Sequence, residues 1–454
     1  MIFCRFAFSF FWILFLFESK AQDTKLSPRL SLKEFIERAK THEKSELKVS
    51  EAQIEFSRAR ESLASSLALP SGKWDLFAGP SPQARGNAIL GETDFAKWGV
   101  TSGTQLEIQI PLYTFGALST GRDAARSGTE AEEFLKARDE LNLQYQVAQI
   151  YYGYQLAFEL GGLAEDLVLK LEEALETGQR ARKRNQKGAP SFLDLEKLQI
   201  YLAEAKAREL EAKKTGEQLR SAMAWKAGFS EGAGERSPKW DRGNLKARPV
   251  FINEKPLEEW KNIAAQSRPE AQALKKNLEA RKSLELSESA QRLPVLFFAG
   301  QARYTVSPHR DDPLSPFAYD PLNELSGVLA LGLRWNLNFF EKNARAEMAR
   351  AERIKAEALM NNLLLGLQVE VERTLADLEF YKAEGVLREE ASKRARKLFT
   401  DSFVAFTLGS IPAKDLLEAL GTHAMAQKAN WESIYQSNTL QFKWAQVTGL
   451  PLEP

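Results

Sequence analysis

Three landmarks recur in this chain in the same order at nearly the same offset. Ser31-Leu32-Lys33-Glu34-Phe35 opens an amphipathic helix, and Pro256-Leu257-Glu258-Glu259-Trp260 opens another 225 positions on. Pro111-Leu112-Tyr113-Thr114-Phe115 leads from an alternating segment into a long helical run, and Trp335-Asn336-Leu337-Asn338-Phe339 does so 224 positions on. Gly188-Ala189-Pro190-Ser191-Phe192-Leu193-Asp194-Leu195 breaks the first run, and Gly409-Ser410-Ile411-Pro412-Ala413-Lys414-Asp415-Leu416 breaks the second after 221 positions. Ordered repetition of this kind is the signature of a duplicated unit. Each unit reads helix, strand, loop, strand, very long helix, tight turn, long helix. The expected limits are 22–227 and 256–454, with strand pairs near 67–113 and 294–338 and helical hairpins over 117–227 and 341–449. Residues 228–255, rich in Gly, Pro and charge, read as a surface linker between the units.

The long runs exclude many compact folds. Residues 117–184 contain no proline, and an apolar stripe passes through Phe134, Leu141, Tyr145, Ala148, Tyr152, Leu156, Leu160, Leu163, Leu167, Leu171 and Leu175. Steps of three and four, with one of seven, mark one helical face. Such a helix would reach about 100 Å at 1.5 Å per residue. Residues 341–408 match it in length and also lack proline. Helices beyond about 25 residues imply a coiled coil or a helical array. The mean step exceeds 3.5, which favours a nearly straight array over a two-stranded left-handed coil. A compact bundle of shorter helices is the alternative, with Gly161-Gly162 as the expected break.

Between the helices the period changes to two. Leu106, Ile108, Ile110 and Leu112 alternate with Gln105, Glu107 and Gln109. Leu329, Leu331, Leu333, Trp335 and Leu337 alternate with Ala330, Gly332, Arg334, Asn336 and Asn338. Residues 295–306 supply a partner strand, and a weaker one surrounds 74–78. A half-buried sheet would show the same alternation. Strands of about ten residues also suffice to cross a bilayer at a tilt. Four strands cannot close a barrel, and open edges are not tolerated in lipid, so a membrane role would require several chains to share one barrel. The connections 79–97 and 307–325 are long and rich in Gly, Pro, Ser and Asp.

The N-terminus carries Arg5, an apolar stretch from Phe6 to Phe17, and Glu18-Ser19-Lys20-Ala21, the layout of a signal peptide cut after residue 21. Export is therefore expected. The single cysteine, Cys4, lies inside that signal, so packing or oligomerisation must hold the exported chain together. After the signal no run of about 18 apolar residues occurs, and no helical membrane span is expected. The 62 basic and 61 acidic residues balance, leaving no electrostatic footprint for nucleic acid. His42, His309 and His423 are far apart, and no paired-histidine, CxxC, G-x-S-x-G or Walker-type spacing occurs. No cofactor, metal or enzymatic activity is implied.

Taken together, the duplicated unit, the Pro111–Gly116 entry into a long helix, the breaks at Gly188 and Gly409, and the closing stretch Ala426 to Leu450 with Val447-Thr448-Gly449-Leu450-Pro451 resemble the TolC family of outer-membrane efflux proteins. The resemblance spans about Ser31 to Pro451. It implies an α+β membrane protein, a homotrimer with a twelve-stranded transmembrane β-barrel in outer-membrane lipid and a periplasmic α-helical barrel. It also implies a passive duct of a tripartite efflux or type I secretion system, with a periplasmic adaptor and an inner-membrane pump of RND, ABC or MFS type. The adaptor would dock at two tips: Gly188, Ala189, Pro190, Ser191 and Asp194 in one, Gly409, Ser410 and Pro412 in the other. The family's acidic constriction would fall on Asp415 and Glu418, three apart on one helical face, and three copies would ring a pore with carboxylates. Where well-known members place a tyrosine and an arginine that bond the closed state, this chain has Phe406 and Ile411. Apolar closure by Phe403, Phe406 and Ile411 is the expected substitute.

Two further groups allow two readings each. The cluster Arg180-Ala181-Arg182-Lys183-Arg184 suits an adaptor-facing patch or the negative end of a helix, the latter being favoured. Trp74, Trp98, Tyr304, Tyr319 and Trp335 suit membrane-interface girdles or ordinary core and loop positions. The main competing function is a periplasmic coiled-coil scaffold. Such adaptors usually flank a single hairpin with sheet, whereas here a strand pair sits inside each unit.

Overall fold

The computed structural model describes residues 30–42, 45–86, 91–185, 189–229, 244–249, 255–311 and 322–452. The expected signal peptide, Gly188, Tyr319 and most of the expected linker lie outside them. Twelve elements follow one another among the described residues: α1 (Leu32–Thr41), α2 (Leu47–Ser66), β1 (Ser71–Arg85), β2 (Glu92–Tyr113), α3 (Ala117–Lys183), α4 (Phe192–Lys226), α5 (Leu257–Ser267), α6 (Pro269–Ala290), β3 (Val295–Val306), β4 (Glu324–Arg334), α7 (Phe339–Thr407) and α8 (Ala413–Thr448). The order helix, helix, strand, strand, long helix, helix thus occurs twice. Two helices precede each strand pair, where the sequence suggested one. Arg268, held extended before Pro269, makes the second of these breaks (φ −64°, ψ 126°), since a residue before proline is pushed out of the α region.

The long helices are continuous. α3 runs 67 residues and α7 runs 69, and α3 passes through Gly161-Gly162 without a break. Every residue of the apolar stripe read from the sequence is buried or half-buried. On one side α3 packs against α2 and then α4; on the other it packs against α6 and then α8, and α7 flanks those two. These six helices therefore form a wall one helix thick, with α2/α4 at one margin and α7 at the other, while α1 packs on α3 and α5 packs on α6, α7 and α8.

The shorter helices meet end to end along that wall, and buried charge marks each junction. Where α4 ends and α2 begins, Lys226 Nζ lies 2.6 Å from Glu46 Oε1 and 2.8 Å from Gln146 Oε1 of α3. Where α8 ends and α6 begins, Arg268 Nη1 lies 2.5 Å from Glu370 Oε2, and Lys443 Nζ lies 2.7 Å from Glu370 Oε1. A charge taken from water needs such partners to be tolerated. Around the first junction Phe35, Ile36, Val147, Tyr152, Met223 and Phe442 form an apolar core. Within the expected linker, residues 244–249 lie along this core, with Leu245 seated in it and 244, 246, 247 and 249 exposed. Leu245 is buried, its amide donates to Glu159 Oε1 at 3.1 Å, and Asn438 bonds Lys246 O and Arg248 N at 2.9 Å each.

β1 to β4 form one antiparallel sheet in sequence order. β1 is a full partner, pairing from Ser71↔Gln109 to Arg85↔Glu92, so the strands reach well into the stretch 79–97 expected as loop. β4 ends at Arg334, short of Trp335 and Leu337. From β2 the chain enters α3 through two consecutive left-handed residues, Phe115 (φ 53°) and Gly116 (φ 91°). That conformation is costly for phenylalanine and free for glycine, and an edge-on contact with Tyr113, with centroids 4.7 Å apart, supports the phenylalanine.

Candidate functional site

The sheet has two chemically opposed faces. The register aligns Gly72↔Ile108↔Gly300↔Leu329 in one row and Lys73↔Glu107↔Gln301↔Val328 in the next. Because side chains alternate, the first row shares its face with Trp74, Leu76, Leu106, Phe298, Leu325, Leu331 and Leu333. The second shares the opposite face with Asp75, Gln105, Gln109, Arg303 and Arg334. The polar face is bonded within and between strands: Lys73 pairs with Asp75 of the same strand at 2.7 Å, and Arg334 Nη2 of β4 donates to Gln109 Oε1 of β2 at 3.3 Å. The apolar face is uncovered, with Leu325, Leu329, Leu331 and Leu333 between 65% and 82% exposed. Water would penalise such a face at about 25 cal/mol for each Å² left open. Trp98 and Tyr304 stand toward the loop end and Trp335 at the helix end, all exposed.

At the loop end, sequence reasoning missed a polar cluster. Ser81 Oγ lies 2.5 Å from Thr101 Oγ1 and 2.8 Å from His309 Nε2, and Thr101 also bonds Ser307. All four residues are buried or half-buried. This ties the connection after β3 to β1. Gly99 permits it, because a Cβ there would lie 2.2 Å from the His309 ring. No local signal joins positions more than 200 residues apart.

At the opposite end of the wall the fold brings the two hairpin tips together. α3 ends in the left-handed Asn185 (φ 48°), and α4 begins with a capping box: Asp194 Oδ2 accepts from Ser191 N and Oγ at 3.1 and 2.7 Å, while Ser191 Oγ accepts from Asp194 N. These two expected docking residues thus already serve as a cap. α7 closes on Gly409 (φ 71°), with Gly409 N donating to Phe406 O and Ser410 N to Ala405 O. This is a Schellman closure, and Pro412 then caps α8. Ala189 and Pro190 are half-buried. Gly178, which the sequence did not single out, lets the tips approach: a Cβ there would lie 2.9 Å from Pro190 Cγ and 3.9 Å from Phe406 Cζ.

Asp415 and Glu418 lie on the exposed side of the first turns of α8, while Leu416, Leu417 and Leu420 face inward. The three residues of the expected apolar gate lie together at this end of the wall. Phe406 is buried with Leu167, Leu171, Leu195, Leu198, Phe399 and Leu416, and Phe403 and Ile411 pack against the same cluster. In this conformation the three residues join α3, α4, α7 and α8 of one chain, and Phe406 lines no open surface. Arg180, Arg182 and Lys183 occupy the last turn of α3, where cations oppose the helix dipole. Arg182 also lies over the Phe192 ring at 5.6 Å.

No protein-family model matches the sequence, and no curated protein matches it. Solved structures do match in fold. The outer-membrane channel OprN superposes with a TM-score of 0.76 at 16% identity, covering 92% of this chain and 89% of that one. The Campylobacter jejuni outer-membrane channel CmeC gives 0.75 at 14% identity, covering 92% and 85%. The outer-membrane protein VceC of Vibrio cholerae gives 0.74 at 15% identity, covering 92% and 96%. This chain shares the fold of those outer-membrane proteins over nearly its whole described length, with both helices and sheet included.

Proposed function

We propose, on the strength of that shared fold, that the chain is one third of an outer-membrane exit duct. Three copies would join β4 of one chain to β1 of the next, closing a twelve-stranded barrel with the leucine face toward lipid and the Lys73–Glu107 face toward an aqueous lumen. The helical walls would close in the same way, α7 of one copy against α2 and α4 of the next, into a periplasmic tunnel. Such a head-to-tail interface makes a ring when the rotation closes. In this reading the two runs of elements are two copies of one unit. Trp98 and Tyr304 at one end and Trp335 at the other form the interface girdles.

The observation that carries the proposal is a sheet with one face apolar and uncovered and, among the described residues, with the outer edges of β1 and β4 unpaired except where Arg310 and Asp311 bridge Ala84 at the loop end. In lipid that face is satisfied, and the edges are satisfied only by closure. Exposed apolar side chains on both margins of the wall point the same way: Leu193, Ile200 and Leu210 on α4, and Leu359, Val369, Phe380 and Leu387 on α7.

As a duct the protein would hydrolyse nothing, bind no cofactor, and depend on a periplasmic adaptor and an inner-membrane pump of the RND, ABC or MFS type, in efflux or type I secretion. The tips around Gly188–Asp194 and Gly409–Pro412 are the proposed docking surface. Asp415 and Glu418 are proposed to form carboxylate rings that favour cations at the narrow end. Phe403, Phe406 and Ile411 would hold the tips in the closed arrangement from within each chain.

The test is the native mass, by light scattering, of protein extracted with detergent from the outer-membrane fraction. A three-chain particle absent from the soluble fraction is expected. A soluble monomer or dimer would sink the proposal and favour a periplasmic scaffold.

A further inference from the structure

His423 sits on α8 one and a half turns beyond Glu418, inside the cluster that joins the two hairpins. The residue is only 5% exposed. Its ring lies flat on Phe399 of α7, with centroids 5.4 Å apart and planes 7° from parallel. Its Nδ1 is buried and makes no hydrogen bond. Leu420 and Ala424 flank it on α8, in the cluster that also holds Leu167 of α3. A neutral imidazole can occupy such a place as an aromatic ring. An imidazolium cannot do so cheaply, because it carries two donors and a charge.

We propose that His423 is an acid sensor for the tip: its protonation loosens α8 from α3 and α7 and shifts the hairpins toward an open arrangement. The functional consequence, a wider narrow end, rests on the duct reading above. The loosening itself does not.

The electrostatic surroundings agree with the geometry. The charged groups facing the ring are Arg396 from α7 and Asp166 from α3. Burial holds the imidazole below its ordinary range, Arg396 pushes it further down, and Asp166 opposes them weakly. A histidine whose packed form resists protonation contributes its full stabilisation above the value of the free ring, about 6.5. That contribution shrinks as pH falls from there toward the lower value of the packed form. Each pH unit between the two points shifts the packed-to-loosened ratio about tenfold. Acid therefore opens the tip and neutrality closes it.

Two readouts on the full-length detergent-solubilised protein test this. The first is hydrogen exchange of residues 413–430, corrected for intrinsic rates, at pH 7.5, 6.5 and 5.5. The second is single-channel conductance in planar bilayers at the same pH values. Protection of α8 is expected to fall, and conductance to rise, between pH 7 and 5.5. His423→Phe, which keeps a flat ring on Phe399, should abolish both responses while matching the wild type at neutral pH. Arg396→Gln alters an exposed side chain and should move the response to lower pH, since it relieves repulsion of the imidazolium. Wild-type α8 that is equally protected throughout, or His423→Phe as acid-sensitive as wild type, would overturn the proposal. So would a response abolished by Asp415→Asn/Glu418→Gln and kept by His423→Phe. Acid-dependent exchange without any channel activity would uphold the sensor and count against the duct.

Discussion

Leu329 is the sixth of eleven residues in β4, midway along the strand, and is 76% exposed in the single chain. Arginine at this position tests the assignment of the faces. If the row Gly72–Ile108–Gly300–Leu329 looks into lipid, a charge there costs about 2–4 kcal/mol per chain near the bilayer midplane. Losing three-quarters of a leucine's transfer adds about 1–2 kcal/mol. The sum, about 3–6 kcal/mol per chain, is repeated in every copy of a closed barrel. Val328 provides the control one residue away. It stands in the Lys73–Glu107–Gln301 row of the opposite face, where arginine would meet water and the Glu107 carboxylate and should cost under about 1 kcal/mol. The assay is the temperature at which the proposed oligomer, extracted in detergent, dissociates, with the yield in the membrane fraction beside it. Leu329→Arg should lower both sharply, and Val328→Arg should leave both near wild type. Equal effects of the two substitutions, or the reverse order, would refute the lipid-facing assignment.

Three further outcomes follow from the helical part. Phe442→Ala empties the core where its ring meets Tyr152 and Arg248, and should cost about 3–5 kcal/mol, read as a drop in denaturant midpoint. Ser191→Ala removes the capping box of α4 and should cost about 0.5–2 kcal/mol, with faster hydrogen exchange confined to the first turn of α4. Burial pushes the Glu370 carboxyl up, but Lys443 and Arg268 more than offset it and hold it below the usual carboxylate range. Its stabilisation is therefore complete above about pH 4.3 and fades as pH falls through the lower folded value. Glu370→Gln should lose about 1–3 kcal/mol at neutral pH and flatten this acid limb in a pH-dependent melt.

The period of two was readable around 105–112 and 329–333 because each residue there chooses a face by its own chemistry. It was harder to read in β1, where prolines at 80 and 82 and small residues mask the alternation, although the structure pairs that strand in full. The long helices were legible because the absence of proline and a sustained stripe are local properties. Helix continuity through Gly161-Gly162 was the favoured reading, with a break there as the alternative. Two glycines weaken a helix locally, and packing against α4 and α8 overrides that weakness. At the tip, Gly188 and Gly409 announced turns, and Asp415 and Glu418 could be placed on one face by spacing alone. The partnership of Phe406 with Gly178 and Leu195, and the burial of His423 against Phe399, carry no sequence signal. They are contacts between hairpins far apart in the chain.

Sequence alone thus determined what each segment is: its period, its breaks, which residues could share a face, and the recurrence of one plan. Those follow from backbone preference and side-chain polarity within a few residues. Tertiary structure decided which face lies against what. It buried Phe406 in the cluster that joins the hairpins, seated Leu245 in the core with its neighbours bonded to Asn438, and left one side of the sheet and both margins of the wall with exposed apolar side chains. Burial is a property of the whole arrangement, because a side chain is inside only when another part of the chain comes to cover it.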